Sequence, residues 1–205
     1  MVLCMQVEKI RRCLEAVPPL MDRYQRKEVS FPDHVIKWLE DAEKNIASLR
    51  LPQVSELATL RGNVLKVEDS LSSGNDRPSR SSVRRASNST AADSLSRAES
   101  ILRYQLNTAE DKLKQFEDKL CEGMTAFLLQ NSLPPPGGAS RQTWLLHVWN
   151  DIRQFQATRP LALYLSASLT QVDRCYILDE VLRRMSDWDE PPPPLQLLVS
   201  APQVS

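Results

Sequence analysis

Apolar residues recur along this chain in steps of three and four, the period of one face of an α-helix. Leu3, Val7, Ile10, Leu14 and Val17 form the first such stripe. It predicts a helix over 2–16 that breaks at Pro18-Pro19, where the rings remove donors and crowd the preceding turn. A short turn through Leu20, Met21 and Tyr24 follows. Val35, Leu39, Ala42, Ile46 and Leu49 predict a second helix, starting near Pro32 with Ser30 or Phe31 at its cap. A third, with Pro52 as its first residue, carries Val54, Leu57, Leu60, Val64 and Val67. Short, proline-bounded joints predict antiparallel neighbours, hence a helical hairpin or three-helix unit over 1–71.

The longest stripe is Leu95, Ala98, Leu102, Leu106, Ala109, Leu113, Phe116, Leu120, Met124 and Phe127. Its nine steps span 32 residues. That is about 3.56 per turn, between a strict heptad and a straight helix. With Asp93 or Ser94 at the cap, it predicts one coiled-coil-like helix over 93–132. At about 1.5 Å per residue such a rod reaches roughly 55 Å. The short helices around it look too small to cover it. The expectation is that it packs with the N-terminal unit, with a protein partner, or with a second copy. Leu106, Leu113, Phe116 and Leu120 are the candidate partner contacts.

A Pro/Gly linker at 133–139 precedes a small helical unit over 140–190. Ser140 caps a helix carrying Leu145, Val148, Ile152 and Phe155. Thr170-Gln-Val-Asp173 has capping-box spacing and opens a helix with Val172, Cys175, Leu178, Leu182 and Met185 on one face. Residues 161–165 are too short for periodicity to decide; an orphan strand has no partner here, so helix is expected. Trp144 and Trp149 lie five apart, so only one can be central to a single stripe. The other is an edge or partner-facing anchor, and Trp149 is the candidate.

Composition sharpens this all-α reading. Residues 72–92 contain seven Ser, four Arg and one large apolar residue, Val83, and predict a disordered linker. The proline-rich stretch 191–205 predicts a disordered tail. The chain has 205 residues but only 5 Gly, which argues against phosphate and dinucleotide loops. Basic and acidic residues number 26 each, so no global charge demands an acidic or basic partner. No apolar run reaches the length of a spanning helix, and a cytoplasmic or nuclear location is expected.

The four cysteines, Cys4, Cys13, Cys121 and Cys175, are scattered, and His34 and His147 complete no ligand set, so neither a metal nor a cofactor is expected. No nucleophile-elbow, P-loop or metalloprotease motif occurs, and catalysis is not expected. The expected function is non-enzymatic: an adaptor, scaffold or complex subunit working through apolar helix faces. One alternative is an accessory in a nucleic-acid transaction, with Arg77, Arg80, Arg84 and Arg85 contacting phosphates. Another is a non-catalytic or shared-site subunit of an enzyme complex. Arg84-Arg85-Ala86-Ser87 also has the spacing that basophilic kinases prefer, and a phosphate on Ser87 would offset the local positive charge.

Overall fold

A computed structural model describes residues 2–73, 80–133 and 140–185, with the backbone alone at 68–73 and 80. The described residues form eight helices and no strand: α1 Leu3–Glu15, α2 Val17–Gln25, α3 Phe31–Ser48, α4 Val54–Ser73, α5 Arg80–Leu128, α6 Arg141–Gln154, α7 Arg159–Ser168 and α8 Gln171–Met185. The protein is all-α, and residues 161–165 are helical, inside α7. No helix among the described residues is long and apolar enough to cross a membrane.

Helix starts follow proline and side-chain caps. Prolines occupy the first turns of α2, α3 and α7, where the missing donor has no intrahelical partner to lose. The Ser140 hydroxyl accepts the Thr143 N–H at 3.2 Å and starts α6. Two helix ends are less orthodox. After α2, Lys27 N–H donates to the Tyr24 carbonyl and Glu28 N–H to that of Arg23. After α3, Arg50 N–H donates to the Ala47 carbonyl and Leu51 N–H to that of Ile46. Both are Schellman closures, and they place Lys27 (φ 56°) and Arg50 (φ 54°) in the left-handed region that glycine usually fills.

The chain divides into two compact units. One is Gln6–Thr108. Its core joins Ile10 and Leu14 of α1, Phe31, Val35, Leu39 and Ile46 of α3, Leu57 and Val64 of α4, and Ala91, Leu95, Ala98 and Leu102 of α5. The Trp38 indole N–H donates to the Cys13 carbonyl at 2.9 Å, so this large ring is buried without an orphaned donor. The Arg61 guanidinium makes a forked pair with Glu43 across α3 and α4, at 2.7 and 3.2 Å.

The other unit is Ala109–Ser205 with Met1–Met5. Here α6 packs against both α7 and α8. Within it, Phe127 of α5 meets the Phe155 ring edge-on at 5.5 Å, and Phe116 meets Tyr164 at 6.2 Å. A Cβ on Gly123 would collide with the Leu161 side chain, so the bare backbone at this turn admits α7. Arg184 pairs with Glu117 at 2.7 Å, and Asp179 holds both Arg141 and Arg183 at 2.8 and 2.9 Å.

Three expectations change. The long helix is 49 residues and starts at Arg80, so 80–92, expected as disordered linker, is helical. Ser87 and Ala91 face inward there, and continuation of an existing helix carries no new nucleation cost. Residues 74–79, 134–139 and 186–205 hold the rest of the expected linkers and tail and lie outside the described residues. Second, the long stripe is not left open. Leu95, Ala98, Leu102, Ala109, Leu113, Leu120, Met124 and Phe127 are buried within the chain, and only Leu106 and Phe116 remain half-buried. Within Gln6–Thr108 the stripe joins the core formed with α1, α3 and α4, which length arithmetic on α5 does not anticipate. Third, Trp144 and Trp149 are both buried, because α6 is covered on two faces instead of one.

Candidate functional site

The Ser/Arg stretch that opens α5 lies against the end of α2. Tyr24, Gln25 and Lys27 from α2 and its C-terminal closure, with Ser81, Arg84, Arg85, Asn88 and Ser89 from α5, line a cleft of about 780 Å³. Helical spacing explains the α5 side. Positions 81, 84, 85, 88 and 89 step by three, one, three and one, which keeps them on one face. The α2 side follows from the Schellman turn, which sends the chain back at Lys27 and turns that residue toward α5.

The electrostatics are one-sided. Of the eight described lining residues three are cationic and none is acidic. The Arg84 guanidinium donates to the Lys27 carbonyl, which ties α5 to the negative end of α2 and holds Arg84 in place. Among the described residues, neither Lys27 nor Arg85 has an ion-pair partner, whereas Arg23 nearby is paired with Glu28 at 2.8 Å. Asn88 contributes an Oδ1 that is shielded from solvent and has no hydrogen-bond partner. Tyr24 stacks obliquely on Phe31, centroids 5.2 Å apart, and leaves 37% of its surface exposed. The cleft therefore offers cations, one aromatic wall and neutral hydrogen-bonding groups, the set that binds an oxyanion.

The residues singled out from sequence divide sharply. Arg84 and Arg85 line this cleft. Arg77 and the side chain of Arg80 lie outside the described residues. Ser87, expected as an accessible modification site, is 8% exposed in the middle of a helical turn, where a kinase cannot seat it without unwinding α5. Leu113, Leu120 and Trp149 are core residues of the folded chain and present no surface, while Leu106 and Phe116 are half-covered. Tyr24, Gln25 and Lys27 carried no sequence signal, because their relevance depends on a helix more than fifty residues away. Among the described residues no group of three or more His, Cys, Asp or Glu side chains is placed to hold a metal ion.

The three buried thiols are chemically quiet. Cys4, Cys13 and Cys175 are buried and Cys121 is partly exposed. Burial is the main cause that raises the Cys13 thiol, with the Asn45 amide pulling the other way. At Cys4 burial comes first, and the charge of Asp173 and a hydrogen bond to it add to the rise. Burial pushes the Cys175 thiol up to about 11 from an ordinary 9.0. Since the thiolate is the nucleophile, iodoacetamide in mildly alkaline buffer should modify Cys121 first, as mapped by mass spectrometry. Early labelling of Cys175 would contradict the packing described above. The sign for stability follows from the raised value. Cys175 contributes its full share below pH 9.0 and loses it as pH climbs through about 11. Cys175→Ala should therefore show a shallower alkaline loss of stability than the parent chain.

No family model, curated protein or solved structure matches this chain.

Proposed function

We propose that this chain is a non-enzymatic interaction protein, an adaptor or complex subunit, that recruits an anionic partner through the cleft between α2 and α5. The observation that carries the reading is the convergence of Lys27, Arg84 and Arg85 around one open volume with no acidic side chain among the described lining residues. Placing like charges together is unfavourable for folding alone. The arrangement becomes favourable when an anion enters. The apolar helix faces first considered for docking are used inside the fold, so electrostatic capture replaces them as the basis of the assembly role. A nucleic-acid partner is the second reading. Tyr24 favours it, because it supplies beside the arginines the stacking surface that the Ser/Arg stretch lacks.

Both readings predict salt-sensitive binding. A fluorescently labelled polyglutamate peptide and an oligo-dT strand, each titrated by anisotropy, should bind more weakly as salt rises from about 50 to 200 mM. Arg85→Glu should cut the affinity by about tenfold or more, since a charge-assisted bond is both lost and reversed. As a surface change it should leave stability within about 0.5 kcal/mol. Equal binding by the parent chain and the variant removes the cleft from the function.

A further inference from the structure

We infer that the ligand of the α2–α5 cleft is a phosphorylated serine or threonine on a peptide segment of a partner protein; this rests on the cleft being the binding site. Four features select that chemistry over other anions. The first is focus. Three cations surround a single cleft of about 780 Å³, while the chain as a whole carries a net charge of +0. A long polyanion gains affinity from a broad basic footprint, which an overall neutral chain lacks. A compact dianion needs only one concentrated site, and a phosphoserine carries nearly two charges on three acceptor oxygens.

The second feature is preorganisation. Arg84 is held by its bond to the Lys27 carbonyl, so one of the three cations is positioned before any ligand arrives. Planar guanidinium forks at Arg84 and Arg85 match phosphate oxygens. The third is the side-chain amide of Asn88, which lines the cleft and is a group that can pair with peptide N–H or C=O. A peptide carries N–H groups on either side of its phosphorylated residue, whereas inorganic phosphate and a phosphodiester backbone carry none. The fourth is the neutral remainder of the lining. Gln25 and Ser89 suit the amides of an extended peptide, and Tyr24 supplies an apolar wall for a flanking side chain. The site reads the phosphate by charge and the peptide by hydrogen bonds.

The test uses the full chain and two immobilised peptide libraries with random flanks around a fixed phosphoserine or an unmodified serine, and an oligo-dT strand as a third probe. Retention on the phosphorylated library should exceed that on its twin by about tenfold or more, as expected for a dianion gaining charge-assisted bonds. Arg84→Ala with Arg85→Ala should abolish the difference. Asn88→Asp, which keeps the side-chain shape but adds a negative charge, should abolish it too, with the melting temperature showing that the fold persists. Equal retention on both libraries overturns the inference. If oligo-dT then binds through Arg84 and Arg85, the anionic cleft stands and only the phosphopeptide assignment falls. If neither probe depends on those arginines, both the cleft and the assignment fall.

Discussion

Truncating Leu102 to Ala is expected to destabilise the chain by about 3 kcal/mol, the middle of the range for emptying a leucine-sized space in a packed core. Leu102 has 0% exposure and lies in the cluster that joins α1, α3, α4 and α5. The same cluster holds Phe31, Leu39 and Leu57, which are themselves 0% exposed, so the core around α5 is tightly filled. Two substitutions on the same helix calibrate the result. Leu106→Ala, at a half-buried position against the same core, should cost about 1 kcal/mol, in line with partial burial. Tyr104→Ala, 69% exposed, should stay within about 0.5 kcal/mol. Urea midpoints of the chain on its own, at low concentration, make the measurement. A rod that needed a partner to cover its stripe would show Leu102→Ala nearly silent in the isolated chain, so the size of this one effect decides whether the stripe is satisfied internally.

That stripe illustrates what the sequence could and could not reveal. Leu95, Ala98 and Leu102 were placed on one face by period alone, and that face is buried. Periodicity reports that a surface is apolar and says nothing about what covers it. Coverage of Leu95, Ala98 and Leu102 comes from α1, α3 and α4, a tertiary fact with no local signature. The helix starts at Ser140 and Thr170 are legible because a cap is made by residues within a turn of each other, and the start at Pro32 because proline suits a first helical turn. The ends at Lys27 and Arg50 are not, since the left-handed position that usually announces itself with glycine is filled by long cations. The start of α5 was missed for a related reason. A Ser/Arg stretch has little apolar content of its own, and it is helical as the extension of a rod held further along.

The candidate site shows the same split. Arg84 and Arg85 stand out in any reading of charge, but Tyr24, Gln25 and Lys27 gain meaning only once α2 and α5 are side by side. Ser87 shows the same limit of a local reading. The Arg-Arg-Ala-Ser spacing is a linear signal, and the helix turns that serine inward to 8% exposure. Chemistry that needs an extended chain and chemistry that needs a folded surface compete for the same residues, and the helix favours the second.

Asp173→Ala is expected to match or exceed the Leu102 effect, at about 3–4 kcal/mol, through lost hydrogen bonds instead of lost volume. Asp173 is 0% exposed, and its two carboxyl oxygens do separate work. Oδ2 accepts the Thr170 hydroxyl at 2.8 Å, while the Asp173 N–H donates to Thr170 Oγ1 at 3.2 Å, closing the start of α8. This half was visible as the capping-box spacing. Oδ1 accepts the Cys4 N–H at 2.9 Å, one of the donors in the first turn of α1 that has no intrahelical partner. This half joins residues 169 positions apart and has no sequence signal. Alanine would orphan a buried backbone N–H and a hydroxyl together, at about 1–3 kcal/mol each, with partial relief where water enters. Asparagine keeps an acceptor for Cys4 and turns an amide donor toward Thr170 Oγ1, so Asp173→Asn should cost only about 1 kcal/mol. Hydrogen exchange at the Cys4 amide separates the two roles. It should accelerate strongly in Asp173→Ala, remain protected in Asp173→Asn, and stay protected in Thr170→Ala, which removes the α8 cap while leaving Oδ1 in place. Equal acceleration in all three variants would mean that Asp173 serves α8 alone and that the first turn of α1 is held by something else.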